Sequence, residues 1–335
     1  MSACLPKFSI IVPIYNVERY LADCLNSICE QDYPNFELIA INDGSTDHSR
    51  SILQSFADKD RRIKILESKN KGVSAARNLG LSVSTGDYVW MVDSDDLLTS
   101  NALAILSKVI EKHTPDVITF KYNKLYKTKG NPAEDSVPLN TKKIRKLDFF
   151  RSVFNTSNSN VQYMGGYVWL RVFKRECINK ISFNEQMSYY EDEDFLVRLY
   201  NTFSDETNLI FSLENRLYSY RKRLSSLINS NRQKRLLDLY RFQRRAMHYF
   251  PQVSTEFRLI NLNRFVTLVK LQQLFLTLNR TSTYKKFRKI LFKHYNELPL
   301  KLILPYLFGQ TLATKYSIQR NIRNNVNKSK DLFWD

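Results

Sequence analysis

The stretch "DYVWMVDSDD" (residues 87–96) joins a short apolar run to three carboxylates, those of Asp93, Asp95 and Asp96. Its length and apolar content are typical of a buried strand. Like charges close together repel, and removing them from water raises that cost, so a cationic partner is expected beside them. The stretch therefore predicts a buried strand that ends at a charged site.

Apolar runs and helical patterns alternate on the N-terminal side of this stretch. The predicted strands are "FSIIVPIYN", "FELIAINDGSTD" and "RIKILES", and the predicted helices are "VERYLADCLNSICEQD", "HSRSILQSFADKD" and "VSAARNLGLSVS". This βαβα order predicts an α/β fold with a doubly wound parallel sheet, in which ligands bind beyond the carboxyl ends of the strands. Tyr15, Asp43 and Asp93 follow three different strands, so the pattern predicts one shared crevice.

Length and composition favour a globular protein with about two domains. Of the 335 residues, 43% are hydrophobic and 13% aromatic, which is enough to build a core. The four cysteines lack CxxC spacing and are interpreted as reduced cytosolic thiols. We predict no signal peptide and no membrane-spanning helix, because the N-terminus runs into a strand and no window of about 18 residues is uncharged and apolar.

The positive charge is concentrated in the last third of the chain. The net charge is +18, and residues 231–335 hold 21 basic and 5 acidic residues, a surplus of +16. From Arg232 onward, apolar and basic residues mix at helical spacing, which predicts a basic helical C-terminal region. Its expected partner is anionic, a lipid surface or a nucleic acid, and a merely solvated face is the plain alternative.

The acidic cluster allows two interpretations. A hard divalent cation takes one or two carboxylates plus substrate phosphates, so Asp95 would bind a metal while Asp93 orients a nucleotide. Alternatively, Asp96 only caps a helix that begins in "SDDLLTSNALAIL".

Two further motifs leave alternatives open. In "NDGSTD", Asp43 would accept a hydrogen bond from a base edge or a ribose hydroxyl, or the motif is a plain capped turn. In "NKGVSAARNLG", Arg77 would pair with a phosphate, or it would only brace the acidic cluster.

Four segments together resemble the family 2 glycosyltransferases, inverting enzymes of the GT-A type. They are "FSIIVPIYNVERYLADCLNSICEQDYPNFELIAINDGSTDHS", "NKGVSAARNLGLSVSTGDYVWMVDSDD", "GYVWLRVFKREC" and "YYEDEDFLVRLY", in the family's order over about residues 7–228. The resemblance implies a GT-A (Rossmann-like) fold, a nucleotide-diphospho-sugar donor, and Mn²⁺ or Mg²⁺ that offsets charge on the leaving diphosphate. It also implies a single displacement that inverts the anomeric centre.

The resemblance assigns roles on the donor side. Asp43 matches the carboxylate that contacts the base, usually uracil, and Asp93 and Asp95 match the D-x-D motif, with Asp95 as the metal ligand. The full set of implied donor-binding residues is Pro13, Tyr15, Asp43, Arg77, Asn78, Asp93 and Asp95.

The resemblance also assigns roles on the acceptor side. In the family's E-D-x-x-F pattern, Glu191 and Asp192 are the catalytic pair, and Asp192 would be the general base that removes the acceptor hydroxyl proton. The alternative is an acidic first turn of a helix. Trp169 would stack on an acceptor sugar or lie in the core. Arg221 and Arg223 would reach the diphosphate or form a surface patch.

These expectations combine into one predicted organisation. Residues 1–228 form the catalytic domain, with a nucleotide-sugar half (about 1–125) and an acceptor half (about 145–228), and residues 229–335 associate with an anionic membrane surface. The predicted activity moves a hexose or N-acetylhexosamine from a UDP-sugar to a growing, lipid-linked surface glycan. The predicted location is cytoplasmic, peripheral on the inner face of the cell membrane, and the tail's apolar residues would also serve a homo-oligomer.

The competing hypotheses are a catalytically silent scaffold and a nucleic-acid-binding protein that stacks bases on tail aromatics such as Phe242. No RRM, KH, helix-turn-helix or zinc-finger pattern is found, so no nucleic-acid partner is expected.

Overall fold

The computed structural model describes residues 5–125, 135–154, 165–204 and 207–222, together with positions 238 and 242. All of them belong to the compact unit Met1–Asn261. The predicted basic helices, Arg223 and nearly all of the predicted C-terminal region lie outside the described residues.

The described residues form nine strands and seven helices. The strands are β1 Phe8–Ile14, β2 Phe36–Asn42, β3 Ile63–Glu67, β4 Tyr88–Met91, β5 Leu97–Leu98, β6 Val117–Leu125, β7 Thr141–Ile144, β8 Arg171–Lys174 and β9 Ile210–Arg221. The helices are α1 Glu18–Cys29, α2 Ser49–Ala57, α3 Val73–Val83, α4 Ala102–His113, α5 Lys146–Phe154, α6 Arg175–Ile178 and α7 Glu191–Thr202. A short 3-10 helix, Val168–Leu170, precedes β8.

The strands make one mixed sheet in the order β3-β2-β1-β4-β8-β6-β9-β5, with β7 paired to β9. The predicted parallel part is confirmed, since β1 runs parallel to both β2 and β4, and β2 runs parallel to β3. Beyond β4 the sheet becomes mixed, because β8 is antiparallel to β4 and β6. The carboxyl ends of β1, β2 and β4 therefore share one edge, as the sequence predicts.

Burial explains why these strands have little polar content. Ile10, Ile11, Val89 and Trp90 are fully buried, as expected for strands that are covered on both faces. Pro13 lies two residues past the last β1–β4 pair, Ile11 with Met91, where the ladder does not need its missing N–H.

A glycine lets α3 lie close to the sheet. A Cβ on Gly80 would stand 2.5 Å from Ile11 Cγ2 and 3.1 Å from Ile41 Cδ1. The absence of a side chain at Gly80 therefore sets the distance between α3 and strands β1 and β2, and it brings Arg77 on the same helix near the strand ends.

One alternative from the sequence is wrong. Asp96 does not cap a helix, because α4 begins at Ala102 with Asn101 as its N-cap. Leu97–Leu98 instead forms β5 and pairs with β9, so the carboxylates lie in a turn between two strands. Among the described residues, no helix is long and apolar enough to span a membrane.

Candidate active site

The donor side of the crevice is built from loops that follow β1, β2 and β3. Asn70 Nδ2 donates to the Tyr15 hydroxyl oxygen at 3.0 Å. Asp43 is buried, and its two carboxylate oxygens accept the N–H groups of Lys71 at 2.9 Å and Gly72 at 2.7 Å. Asp43 thus holds the loop after β3, while its contact with a base stays a prediction.

The capped-turn interpretation of "NDGSTD" also has direct support. Asp47 Oδ1 accepts the N–H of Ser49 at 2.9 Å, at the start of α2. Asp47 Oδ2 accepts the N–H of Glu18 at 3.0 Å, at the start of α1. Asp47 therefore satisfies N–H groups at the beginnings of two helices, whereas Asp43 faces the crevice loops.

The acidic turn after β4 is fastened from β9. Tyr218 donates its hydroxyl to Asp96 Oδ2 at 2.8 Å and accepts the N–H of Asp93 at 3.1 Å. The N–H of Arg221 donates to Asp96 Oδ1 at 2.7 Å. Burial, with the negative charges of Asp95 and Asp93, raises the pKa of Asp96 well above its usual range. Asp96 therefore anchors the turn, and Asp93 and Asp95 remain half-buried.

Arg221 is buried beside the acidic turn and does not lie on the surface. Its side chain is 4% exposed, so it is not part of a surface patch. Nε donates to the Asp95 carbonyl at 2.8 Å, and Nη2 donates to Asp23 Oδ2 at 3.2 Å. The guanidinium therefore supports the acidic turn through its backbone, while the expected contact of Arg221 with a diphosphate stays a prediction.

Arg77 is the cationic partner that the carboxylates require. Its side chain is 4% exposed. Nη2 donates to Asp93 Oδ1 at 2.9 Å and Nη1 donates to Asp192 Oδ1 at 2.7 Å, while Glu191 Oε1 lies 3.6 Å from Nη1. Both terminal nitrogens bind protein carboxylates, so the bracing role is observed, while contact of Arg77 with a phosphate stays a prediction.

Helix α3 joins the donor side to the acceptor side. Asn78 Nδ2 donates to the Phe183 carbonyl at 3.0 Å, and Asn78 Oδ1 accepts the N–H of Phe183 at 2.6 Å. Ser74, one turn earlier, reaches the Met187 carbonyl at 3.5 Å. Asn78 thus fixes the segment that leads into α7, and no donor contact is needed to explain it.

The second acidic cluster is both a helix start and part of the ion cluster. Helix α7 begins at Glu191 and has four acidic residues in its first turn, as the plain interpretation expects. Asp192 Oδ2 also accepts the N–H of Val168 at 3.1 Å. Hence Asp192 binds Arg77 through one oxygen and the 3-10 helix through the other.

The pKa values of both catalytic candidates are raised, and the opposing contacts differ. Burial, followed by the charge of Asp192, raises the pKa of Glu191 to about 8. Burial also raises the pKa of Asp192, but Arg77 opposes that rise by its charge and hydrogen bond, and the Val168 N–H opposes it as well. Near neutral pH, Glu191 therefore holds a proton while Asp192 is the better placed of the two to be ionised.

Trp169 lies in the core, which is the second of its two predicted places. It is 3% exposed, and its ring stacks on Tyr167 at 5.0 Å, on Tyr218 at 4.5 Å and on Tyr220 at 5.6 Å between centroids. Trp169 therefore has rings on its faces and does not present one to a sugar. Tyr167 is 39% exposed and immediately precedes Val168.

Sequence reasoning missed Tyr167 and Tyr218 as site residues. The alternation in "RLYSYR" places Tyr218 and Tyr220 on one face of a strand, and that signal was available. It does not reveal that Trp169 is the partner of this face, or that the Tyr218 hydroxyl binds the acidic turn.

Two positions of the predicted C-terminal region contact the acceptor side. Asp238 Oδ2 accepts the N–H of Ser188 at 2.9 Å. Phe242 is fully buried and stacks with Tyr190 at 6.2 Å between ring centroids. Phe242 is therefore not exposed for stacking on a nucleic-acid base.

The side chains that could bind a metal fit an ion shared with substrate better than an ion held by protein alone. Within the described ranges, no group of three or more histidine, cysteine, aspartate or glutamate side chains is placed to hold an ion. Asp95 offers a half-buried carboxylate at the strand end. Mg²⁺ and similar cations bind through one or two carboxylates plus substrate phosphates, so Asp95 suits such an ion when a diphosphate supplies further oxygens.

Comparison with known proteins agrees with this geometry. The family model for glycosyl transferase family 2 matches residues 9–176. The glycosyltransferase GlyG of Streptococcus pneumoniae is 31% identical over 231 residues, covering 66% of this chain and 73% of GlyG. The uncharacterized glycosyltransferase EpsJ of Bacillus subtilis is 29% identical over 225 residues, and the chain spans only 63% of its length.

The solved structure of Staphylococcus aureus TarS residues 1–349 in complex with UDP-GlcNAc has the same fold. It superposes with a TM-score of 0.65 and 23% identity, covering 88% of this chain and 82% of that one. The sheet is therefore a GT-A fold. With a family match over half of its length and a crevice flanked by two acidic clusters, this chain belongs to glycosyl transferase family 2 and is a glycosyltransferase.

Proposed function

We propose that the protein is an inverting transferase that moves a hexose or N-acetylhexosamine from a UDP-sugar to a hydroxyl of a growing surface glycan. The observation that carries the proposal is the contact of one guanidinium, that of Arg77, with both Asp93 and Asp192. It brings a donor-side carboxylate and a base candidate to opposite sides of the same side chain. TarS supports this donor class, since it binds UDP-GlcNAc and is named a poly(ribitol-phosphate) β-N-acetylglucosaminyltransferase.

The chemistry is a single displacement. Asp192 takes the proton of the acceptor hydroxyl, the hydroxyl oxygen bonds to the anomeric carbon, and the bond from that carbon to the UDP oxygen breaks. UDP leaves with the electron pair, and the anomeric configuration inverts. Asp192 is preferred over Glu191 because Arg77 and the Val168 N–H both stabilise its ionised form. Tyr167 lies next in sequence to the peptide that holds Asp192, which makes it the candidate for acceptor contact.

Asp95 is proposed as the protein ligand of Mn²⁺ or Mg²⁺. The ion would offset negative charge on the leaving diphosphate, which supplies the remaining oxygens. The Arg221 contact with the Asp95 carbonyl keeps this turn in place.

A donor-hydrolysis panel tests the proposal. Purified protein is incubated with UDP-, GDP-, CMP- and dTDP-sugars in Mn²⁺, in Mg²⁺ and in chelator, beside Asp95→Asn. Asp87→Asn is the matched control, because Asp87 directly precedes β4, at its other end, and accepts the N–H of Lys7 at 2.8 Å. We expect metal-dependent release of UDP that Asp95→Asn loses and Asp87→Asn keeps. Release that neither chelator nor Asp95→Asn reduces would contradict the metal assignment.

A lipid-linked acceptor and a peripheral position on the cytoplasmic membrane face are proposed as well. Their support is the charge of +16 over residues 231–335, since each basic residue near an anionic surface contributes about 1 kcal/mol. Full-length protein should bind vesicles that contain anionic lipid and release them as salt rises. Absent or salt-insensitive binding would overturn the membrane proposal and leave the transferase proposal intact.

A further inference from the structure

We propose that Arg77 is a positioning residue that links the general-base carboxylate of Asp192 to the donor-side carboxylate of Asp93. Through these two bonds it keeps the base ionised and fixes its direction. The proposal rests on the transferase function proposed above. It gives Arg77 a role in proton removal from the acceptor, which differs from contact with the donor.

The geometry of the cluster carries the inference. The two terminal nitrogens of Arg77 bond carboxylates from two different parts of the chain, the end of β4 and the first turn of α7, at 2.9 and 2.7 Å. Arg77 Nε is buried and has no hydrogen-bond partner among the residues that the structure describes. A buried N–H without a bond is unfavourable. The bonds of the two outer nitrogens to Asp93 and Asp192 keep the guanidinium in this position all the same.

The surroundings of Asp192 make a cation necessary. In the described part of the chain, the charged groups that act on Asp192 include Arg77 from α3 and Asp93 from the end of β4, while Glu191 of its own helix has a pKa raised to about 8 and holds its proton near neutral pH. Of the two charged groups, only Arg77 is positive. Burial and Asp93 both raise the pKa of Asp192, while Arg77 opposes them. Without Arg77, the pKa of the base would rise further and its carboxylate would lose one of its two bonds.

An arginine suits this place better than a lysine. The guanidinium is planar and delivers two parallel donors in a fixed fork, whereas an ammonium is a single point charge on a flexible stem. The guanidinium reaches Asp93 and Asp192 together through its two outer nitrogens. The ring of Phe183, centred 5.2 Å from the Arg77 guanidinium carbon, also limits its movement.

The test compares Arg77→Gln and Arg77→Lys with wild type in the pH profile of glycosyl transfer. For Arg77→Gln we expect the acid limb of kcat to move up by about one to three pH units, because a neighbouring cation lowers a carboxylate pKa by that amount. At a pH below both limbs this is a loss of about ten- to a thousandfold, recovered in part at high pH or by added guanidinium. Arg77→Lys should show a smaller shift, and UDP affinity should change by less than about threefold in both.

Arg62→Gln is the matched control. Arg62 also pairs with a carboxylate, that of Asp60 at 2.7 Å, and donates to the Cys29 carbonyl at 2.9 Å, but it directly precedes β3, at the other end of the strands from the crevice. We expect Arg62→Gln to lower the melting temperature and to leave the position of the acid limb unchanged. An unshifted limb in Arg77→Gln and Arg77→Lys, or a loss of UDP affinity that accounts for the activity loss, would overturn the proposal.

A titration that needs no turnover separates this inference from the proposed function. The Asp192 carboxyl carbon, observed by NMR, should titrate at higher pH in Arg77→Gln, and in Arg77→Lys if the glutamine variant does not fold. If wild type transfers no sugar but the titration still shifts, the proposed function fails and the ion cluster stands. If the Asp192 titration does not move, the positioning role of Arg77 is wrong even in an active enzyme.

Discussion

The donor side and the acceptor side of the crevice are built in different ways. On the donor side, Asp43 and Asp93 each follow a parallel strand within one or two residues, so regular secondary structure places them. On the acceptor side, Asp192 lies in the first turn of α7, and its bonds go to Arg77 and to Val168, 115 and 24 residues away in sequence. Regular strands set the donor side and β9 holds its acidic turn, whereas the acceptor side depends on side-chain bonds between separate segments.

Substitution of the proposed base, Asp192, should affect transfer to the acceptor far more than binding of the donor. Asp192→Asn should lower the kcat of transfer by about 10²- to 10⁴-fold, the usual contribution of a positioned general base, and should leave UDP binding nearly unchanged. Steady-state kinetics and calorimetry measure the two effects. Glu191→Gln is the control and should cost much less, because Glu191 is already protonated near neutral pH. Equal losses in both variants would contradict the assignment of the base.

Two glycines compare a backbone contact beside the strands with a side-chain contact at the start of α7. A Cβ on Gly86 would meet backbone of the β1 region, at 2.6 Å from Ser9 N and 2.8 Å from Lys7 O, whereas a Cβ on Gly166 would meet the side chain of Glu193, at 2.2 Å from Cγ. Gly86→Ala should lower the free energy of unfolding by about 1–3 kcal/mol, as overpacking does.

Gly166→Ala should cost less stability than Gly86→Ala, because a side chain gives way more easily than backbone, but it should reduce transfer by disturbing the first turn of α7. Chemical denaturation and transfer kinetics on both variants measure this difference. A larger loss of stability in Gly166→Ala would remove the distinction.

A pair of tyrosines tests the fastening of the acidic turn. Tyr218→Phe removes the hydroxyl that binds buried Asp96 and the N–H of Asp93, and Tyr88→Phe removes one that binds the Pro115 carbonyl at 2.8 Å. Each should cost about 1–3 kcal/mol of stability, since a buried group loses its partner. Only Tyr218→Phe should also raise the Mn²⁺ concentration for half-maximal activity. The same metal requirement in both variants would show that β9 does not support the turn.

The pH dependence of stability tests the ionisation of Glu191 on the acceptor side. The folded pKa of Glu191, about 8, lies above its ordinary value of 4.5. The unfolded chain therefore loses this proton first as pH rises, and the Glu191 contribution to the free energy of unfolding falls between about pH 4.5 and 8 by at most about 1.4 kcal/mol per unit. Glu191→Gln should flatten that fall in urea titrations at several pH values. Parallel curves for wild type and variant would contradict the raised pKa.

The parallel part of the fold was predictable because its signals are local. Apolar runs of strand length alternate with helical spacing from Phe8 to Met91, and the turn residues stand where the strands end. The sequence also predicted that the carboxylates of residues 93–96 require a cation. It left two alternatives for Arg77, a bond to a phosphate or to this acidic cluster. The choice depends on which groups the fold brings together.

The wrong or open expectations all concern residues whose neighbours are distant in sequence. Asp96 follows a strand and precedes a helical pattern, so a cap was reasonable, but β9 supplies its partners from more than 120 residues away. Trp169 and Arg221 have side chains of types that often bind ligands. In this fold Trp169 stacks on Tyr218 and Tyr220, and Arg221 donates to the acidic turn. Side-chain type alone does not distinguish a binding group from a supporting one.

The sequence by itself determined the α/β architecture, the edge at which the crevice lies and the two acidic clusters that flank it, since strand ends and periodicity are properties of neighbouring residues. The tertiary structure decided which carboxylates share Arg77, that Arg77 and the Val168 N–H oppose the rise in the pKa of Asp192, and that Trp169 and Arg221 contact protein groups around the site. Those outcomes depend on burial and on charges that meet only after the sheet and α3 have packed, and no local pattern encodes them.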